Sequence, residues 1–184
     1  MNTNPMIVPN AESESFRVFI SRYFADKKIV KISYRPKGKM TANDCYENVK
    51  KHIQQSGGHI AYGWSVWEWP GVMLDAFHHA LWARPEDGRL IDITPDGMDV
   101  FPYRLFIPDQ DAVFNDNMVR YENKRMPLSD DPAIEEFIAI SIAINQAMEK
   151  IEPGKFGYIE PTPEINFLLD KKERLQLELA KKYR

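Results

Sequence analysis

The sequence predicts an α+β domain in which a cysteine-bearing helix packs on an antiparallel sheet, with additional helices at the C-terminal end. Three observations point there. Residues 41 to 58 read as one capped helix closed by two glycines; three extended stretches separated by Pro/Gly turns follow it; and the last third of the chain carries helical periodicity only.

The chain has 184 residues, 43% of them apolar and 12% aromatic, enough for one packed domain that needs no crosslinks. We divide it into a core over residues 1–128 and a helical extension over residues 129–184, expected to pack on the same domain. With 24 basic and 27 acidic residues the formal charge is -3, and the basic residues from Lys171 onward alternate with Asp170, Glu173 and Glu178. Nucleic acid is therefore not an expected partner. Residues 1–14 carry no cationic segment followed by an apolar run, and nothing approaches the length of a membrane span, so the expectation is a cytoplasmic protein without membrane contact. The single cysteine, Cys45, excludes an internal disulfide and a Cys-only zinc site.

From the start of the chain, Phe16, Phe19, Ile20 and Tyr23 recur at helical spacing behind Ser13 or Ser15 as the cap. Ile29 to Tyr34 alternates as a strand, and Pro36 and Gly38 end it. Thr41, Asn43 and Asp44 offer N-caps for a helix with Cys45, Val49 and Ile53 on one face, stopped by Ser56-Gly57-Gly58. His59 to Trp67, Val72 to Ala83 and Arg89 to Thr94 form a predicted meander with turns at Pro70-Gly71 and Pro85-Glu86-Asp87-Gly88. Phe101 to Ile107 is a further candidate strand, followed by a polar loop rich in Asp and Asn. Asp131 and Pro132 open a helix, apolar nearly all round, through Met148. Pro153, Gly154, Gly157, Pro161 and Pro163 break the chain. A charged helix from Glu164 to Tyr183 then places Ile165, Leu168, Leu169, Leu175 and Leu179 on one face, for its own domain or for a homodimer.

Cys45 falls in the first turn of its helix, where unpaired N–H groups and the helix dipole favour a thiolate. The plainer reading is a small buried apolar residue. The hairpin at residues 85–88 adds a second observation, because side chains alternate faces along paired strands. With Pro85-Glu86 as the loop, His79 and Asp92 are directly opposed, about 4.5–5.5 Å between Cβ atoms; with the loop spanning Pro85 to Gly88 they are diagonal, about 7–8 Å. Both registers put His79 and Asp92 on one face and His78 on the other, whereas a three-residue loop would favour His78. Nucleophile, base and orienting carboxylate are the parts of a covalent acyl-transfer site.

His79-Ala80-Leu81-Trp82, then Asp87-Gly88, then Leu90-Ile91-Asp92-Ile93-Thr94-Pro95, resembles the His-Ala-Trp and Asp-x-Thr strands of the transglutaminase-like branch of the papain-type cysteine hydrolases. The order of cysteine helix, histidine strand and aspartate strand is similar as well, over residues 45 to 95. The resemblance implies a papain/transglutaminase-like fold and thiol attack on an amide or ester carbonyl through a thioester, as in a peptidase, deamidase or acyl transferase, with no cofactor and a peptide or protein amide as substrate. It implies Cys45 as nucleophile, His79 as general base and acid, and Asp92 as orienting carboxylate. Leu81 is an insertion relative to the motif, and Asp44 places an anion beside the cysteine; cross-linking is accordingly the least expected activity. Trp64 is the candidate oxyanion donor, and Trp67, with Glu68 and Trp69, a candidate rim of the substrate cleft; packing in the core is the alternative for each. The competing functions are a non-catalytic protein-binding module and a zinc site drawn from Cys45, His59, His78, His79 and Asp92.

Overall fold

The computed structural model describes residues 6–97, 101–114, 121–152 and 160–183. The chain order is α1 (Glu14–Phe24), β1 (Val30–Tyr34), α2 (Cys45–Ser56), β2 (His59–Trp69), β3 (Met73–Ala83), β4 (Leu90–Asp92), β5 (Tyr103–Pro108), β6 (Lys124–Pro127), α3 (Pro132–Ile151) and α4 (Pro163–Lys182). The chain break expected at Pro153, Gly154 and Gly157 lies outside the described residues.

The protein is α+β, but its sheet is neither open nor purely antiparallel. Strands run in the order β2-β5-β1-β4-β3, and β2 pairs with β3 along its whole length, which closes five strands into a barrel; β6 is attached outside it, on β3. β4 runs parallel to β1, with Tyr34 opposite Asp92. The correction to the expected antiparallel sheet has a simple cause: α2 and the long β2–β3 hairpin lie between β1 and β4, and a connection of that length lets a strand return in the same direction.

Alternation sorts the side chains. Leu81, Ile32 and Phe106 fill the barrel interior. Trp64, Val66, Leu74, Ala76, Leu105 and Ile107 face outward and are covered by Phe16, Phe19 and Phe24 of α1, whose N-cap is Ser13, with Oγ accepting from Phe16 N at 3.2 Å. On the neighbouring outer face Tyr46 and Val49 of α2 pack against Ala80, Ile91 and Ile93.

α2 ends where the sequence reading stops it, with Gly57 N donating to Ile53 O at 2.8 Å. Gly58 follows at φ +87°, with Ala83 O only 2.3 Å from where a Cβ would sit. Only glycine lets the chain turn this tightly into β2.

α3 and α4 pack on each other and on Trp69, Val72 and Met73 at the β2–β3 turn. Asp131 ties the pair together: Oδ1 accepts from Ala133 N at 3.1 Å, and Oδ2 accepts from Lys182 Nζ at 2.7 Å and Tyr183 Oη at 3.0 Å. Ile165, Leu175 and Leu179 of α4 are buried in its own chain, while Leu169, expected on the same face, is exposed. No described helix is long and apolar enough to cross a membrane.

Candidate functional site

The site lies where β3 loses its neighbours. On one edge β3 pairs with β6 only from Met73 to Ala76 and with β4 only at Trp82 and Ala83. Along this edge the ladders leave residues 77 to 81 between two partners that have diverged, and the N-terminus of α2 closes over that opening. A cleft of about 400 Å³ results, lined among others by Asn43, Cys45, His79, Asp92, Asn123 and Asn145.

Cys45 is the first residue of α2, so its backbone N–H has no carbonyl within the helix. The approach is held by Asn48, whose Oδ1 accepts from Thr41 N at 3.1 Å and whose Nδ2 donates to Thr41 O at 2.7 Å. Asn43 sits at φ 60°, an αL conformation that asparagine tolerates, with its N donating to Pro95 O at 3.0 Å. Asp44 caps the helix by position only, since its side chain makes no capping bond.

The hairpin has the four-residue turn, with Gly88 N bonded to Arg84 O at 2.9 Å and Arg84 N to Arg89 O at 3.1 Å. The pairs Trp82–Ile91 and Ala83–Leu90 then place Asp92 diagonal to His79 on the inward face. His79 Nε2 stands 3.0 Å from Asp92 Oδ2. This is a charge contact rather than an aligned hydrogen bond, because the buried Nε2 has no acceptor along its N–H direction. Asp92 is fixed in turn, Oδ1 accepting from Thr94 N at 3.1 Å. Burial would lower the His79 pKa, but the Asp92 carboxylate and the neighbouring Cys45, which lines the same cleft, raise it well above the ordinary imidazole value.

His78 faces the other way and serves packing. Tyr46 Oη is 2.6 Å from its Nδ1, and its Nε2 is 2.6 Å from Ala112 O. A carbonyl only accepts, so Nε2 carries the proton and Tyr46 donates to Nδ1. Burial, together with the charge of His79, pushes the His78 pKa down to about 4 against the opposing pull of Ala112 O. The sign follows: below about pH 6.5 the unfolded chain gains a proton that the native state refuses until about pH 4, so this contribution to stability is complete above 6.5 and lost as the pH falls. Urea unfolding of the native chain and of His78→Gln should give stabilities whose difference shrinks by about 2–3 kcal/mol between pH 7 and pH 4.5. Parallel pH curves would show that His78 is not held neutral.

Neither tryptophan reaches the cleft. Trp64 Nε1 donates to Asp109 Oδ2 at 3.0 Å, its ring packed among the α1 aromatics, because even-numbered β2 residues face outward. Trp67 points into the barrel, 1% exposed, with the Arg104 guanidinium 4.7 Å from its ring centre. Trp69 is buried under α3 and α4. Thr94 of the Asp-x-Thr stretch also lines the cleft, and the lining residues that sequence reasoning did not single out are Asn43, Tyr46, Ser65, Phe77, Asp96, Tyr121, Asn123 and Asn145. Of these, only the N-cap character of Asn43 had a local signal. Among the described residues no His, Cys, Asp and Glu side chains are grouped to hold a metal ion. No protein-family model, curated protein or solved structure matches this chain.

Proposed function

We propose that the chain is a cysteine hydrolase of papain/transglutaminase-like architecture that cleaves a peptide or protein amide through a thioester. The observation that carries this reading is the convergence of Cys45 and Asp92 on one buried imidazole, His79, at the wall of an accessible cleft. An imidazolium held beside a sulfur favours the thiolate, and the dipole at the N-terminus of α2 acts in the same direction.

In this mechanism the Cys45 thiolate attacks the amide carbonyl carbon. Asp92 holds the Nε2 side of the ring, so proton exchange runs through Nδ1, which gives its proton to the leaving nitrogen as the C–N bond breaks. Neutral His79 then takes a proton from water, the hydroxide adds to the thioester, and Cys45 leaves as thiolate with His79 again protonated. The Cys45 backbone N–H is one donor for the tetrahedral oxyanion. Asn43, on the cleft wall, takes the side-chain role first given to Trp64.

Alkylation of Cys45 by iodoacetamide from about pH 4 to pH 10, followed by intact mass, tests the pair. The native chain should keep its neutral-pH rate well into the acid range, and His79→Ala should show the steep acid fall of an isolated thiol. Coincident profiles would leave a non-catalytic binding module as the better reading.

A further inference from the structure

The wall of the cleft contributed by the segment before β6 and by α3 has an unusual hydrogen-bonding polarity. Asn123 Nδ2 donates to both carboxylate oxygens of Asp75, at 3.0 and 3.2 Å. Asn145 Nδ2 donates to both oxygens of Glu122, at 3.3 and 3.2 Å. A carboxylate only accepts, so these bonds commit the NH₂ group of each amide to the protein and leave the carbonyl oxygen of each cleft-lining asparagine for other donors. Among the described residues neither of these two oxygens has a hydrogen-bond partner.

The carboxylates behind them are themselves held. Arg125 Nη1 is 2.8 Å from Glu122 Oε1, and Arg125 Nε is 3.5 Å from Asp75 Oδ2. This arrangement fixes the amides, offsets much of the local charge, and polarises each amide so that more negative charge resides on its oxygen.

We propose that Asn123 and Asn145 form a subsite for an N–H-rich group of the substrate, a primary amine or a carboxamide, carried next to the bond that Cys45 attacks. Such a group has several N–H donors and can satisfy both oxygens; a carboxylate or phosphate would set lone pairs against lone pairs. Selection rests on donors rather than on net charge. The subsite depends on the reading of Cys45 as an accessible thiol, and it adds the substrate chemistry that the reactive residues leave open.

Methanethiosulfonates with different tails test this on the full chain. The Cys45 thiolate attacks the sulfenyl sulfur, a disulfide to the tail forms, the S–SO₂ bond breaks and methanesulfinate leaves, so no other oxidant is needed. Rates for methyl, aminoethyl, carbamoylethyl, trimethylammonioethyl and sulfonatoethyl tails are measured by intact mass and divided by those for glutathione. Aminoethyl and carbamoylethyl should exceed trimethylammonioethyl and sulfonatoethyl by about tenfold, the effect of roughly one net hydrogen bond. In Asn145→Leu that preference, read as the ratio of tail rates within the variant, should fall to about twofold.

Equal rates for the two cationic tails, both above the sulfonate, would overturn the donor subsite in favour of a general potential. So would normalised rates that ignore the tail, a result that needs no variant. If instead the methyl probe reacts no faster with the native chain than with His79→Ala, the activated-thiol reading itself fails and the subsite fails with it.

Discussion

Asp92→Asn should lose about 10²–10⁴-fold in the rate at which Cys45 is acylated by p-nitrophenyl acetate at neutral pH, measured as the p-nitrophenolate burst, while the native chain releases about one equivalent. The substitution is nearly isosteric and keeps an oxygen for Thr94 N, which bonds Oδ1 at 3.1 Å. What it removes is the charge 3.0 Å from His79 Nε2. Without that carboxylate, burial dominates the imidazole and favours its neutral form, and the thiolate loses its counter-ion. A linked change in stability follows from the raised His79 pKa. The protonated ring stabilises the native state fully below about pH 6.5, and this contribution disappears as the pH rises through the higher native value. In Asp92→Asn the alkaline decline due to His79 should vanish. A burst undiminished in the variant would show that the carboxylate does not act on the thiol.

The helices were legible because their signals are local. Ser13, Asp131 with Pro132, and Gly57-Gly58 mark ends that any chain must satisfy, and Phe16 and Phe19 or Val49 and Ile53 report one face of a 3.6-residue period. The shared face of His79 and Asp92 was legible for a related reason, since parity along a hairpin depends only on the number of residues in the turn. Closure of the barrel was not. It rests on β5 lying between β1 and β2 and on β4 joining β1 in parallel, pairings between segments far apart in sequence.

Arg104 illustrates the difficulty. On β5 it reads as a surface charge, yet it is buried inside the barrel, where its Nη2 bonds Asp96 at 2.9 Å and its guanidinium lies 3.5 Å from the Tyr34 ring centre. β6, Lys-Arg-Met-Pro, has the composition of a loop and becomes a strand only because β3 offers it an edge. The cleft asparagines were hidden similarly: Asn123 and Asn145 acquire meaning from Asp75 and Glu122, whose positions only the tertiary fold sets.

Gly63→Ala should be strongly destabilising, because the added Cβ would lie 2.2 Å from Ile107 O and 2.6 Å from Phe106 Cζ. Gly63 is paired with His79 on one side and Pro108 on the other, so it occupies the point where β2 is held between two strands and faces the centre of the barrel. The backbone oxygen cannot rotate away, and the Phe106 ring is fully enclosed with Ile32 and Leu81. Relief therefore requires β5 to move outward, which weakens the β2–β5 ladder that closes the barrel. A cost of about 3 kcal/mol or more is expected, and a fall in melting temperature of roughly 8 °C or more. Gly38→Ala is the matched control: nothing lies within 4 Å of its added Cβ, and it should melt within about 2 °C of the native chain. Displacement of β2 would also disturb His79 directly across the ladder, so the Gly63 variant should alkylate more slowly at Cys45 even at a temperature where it is fully folded. If Gly63→Ala melts with the control, β2 and β5 do not approach this closely in solution, and the closed barrel that positions His79 is wrong at that seam.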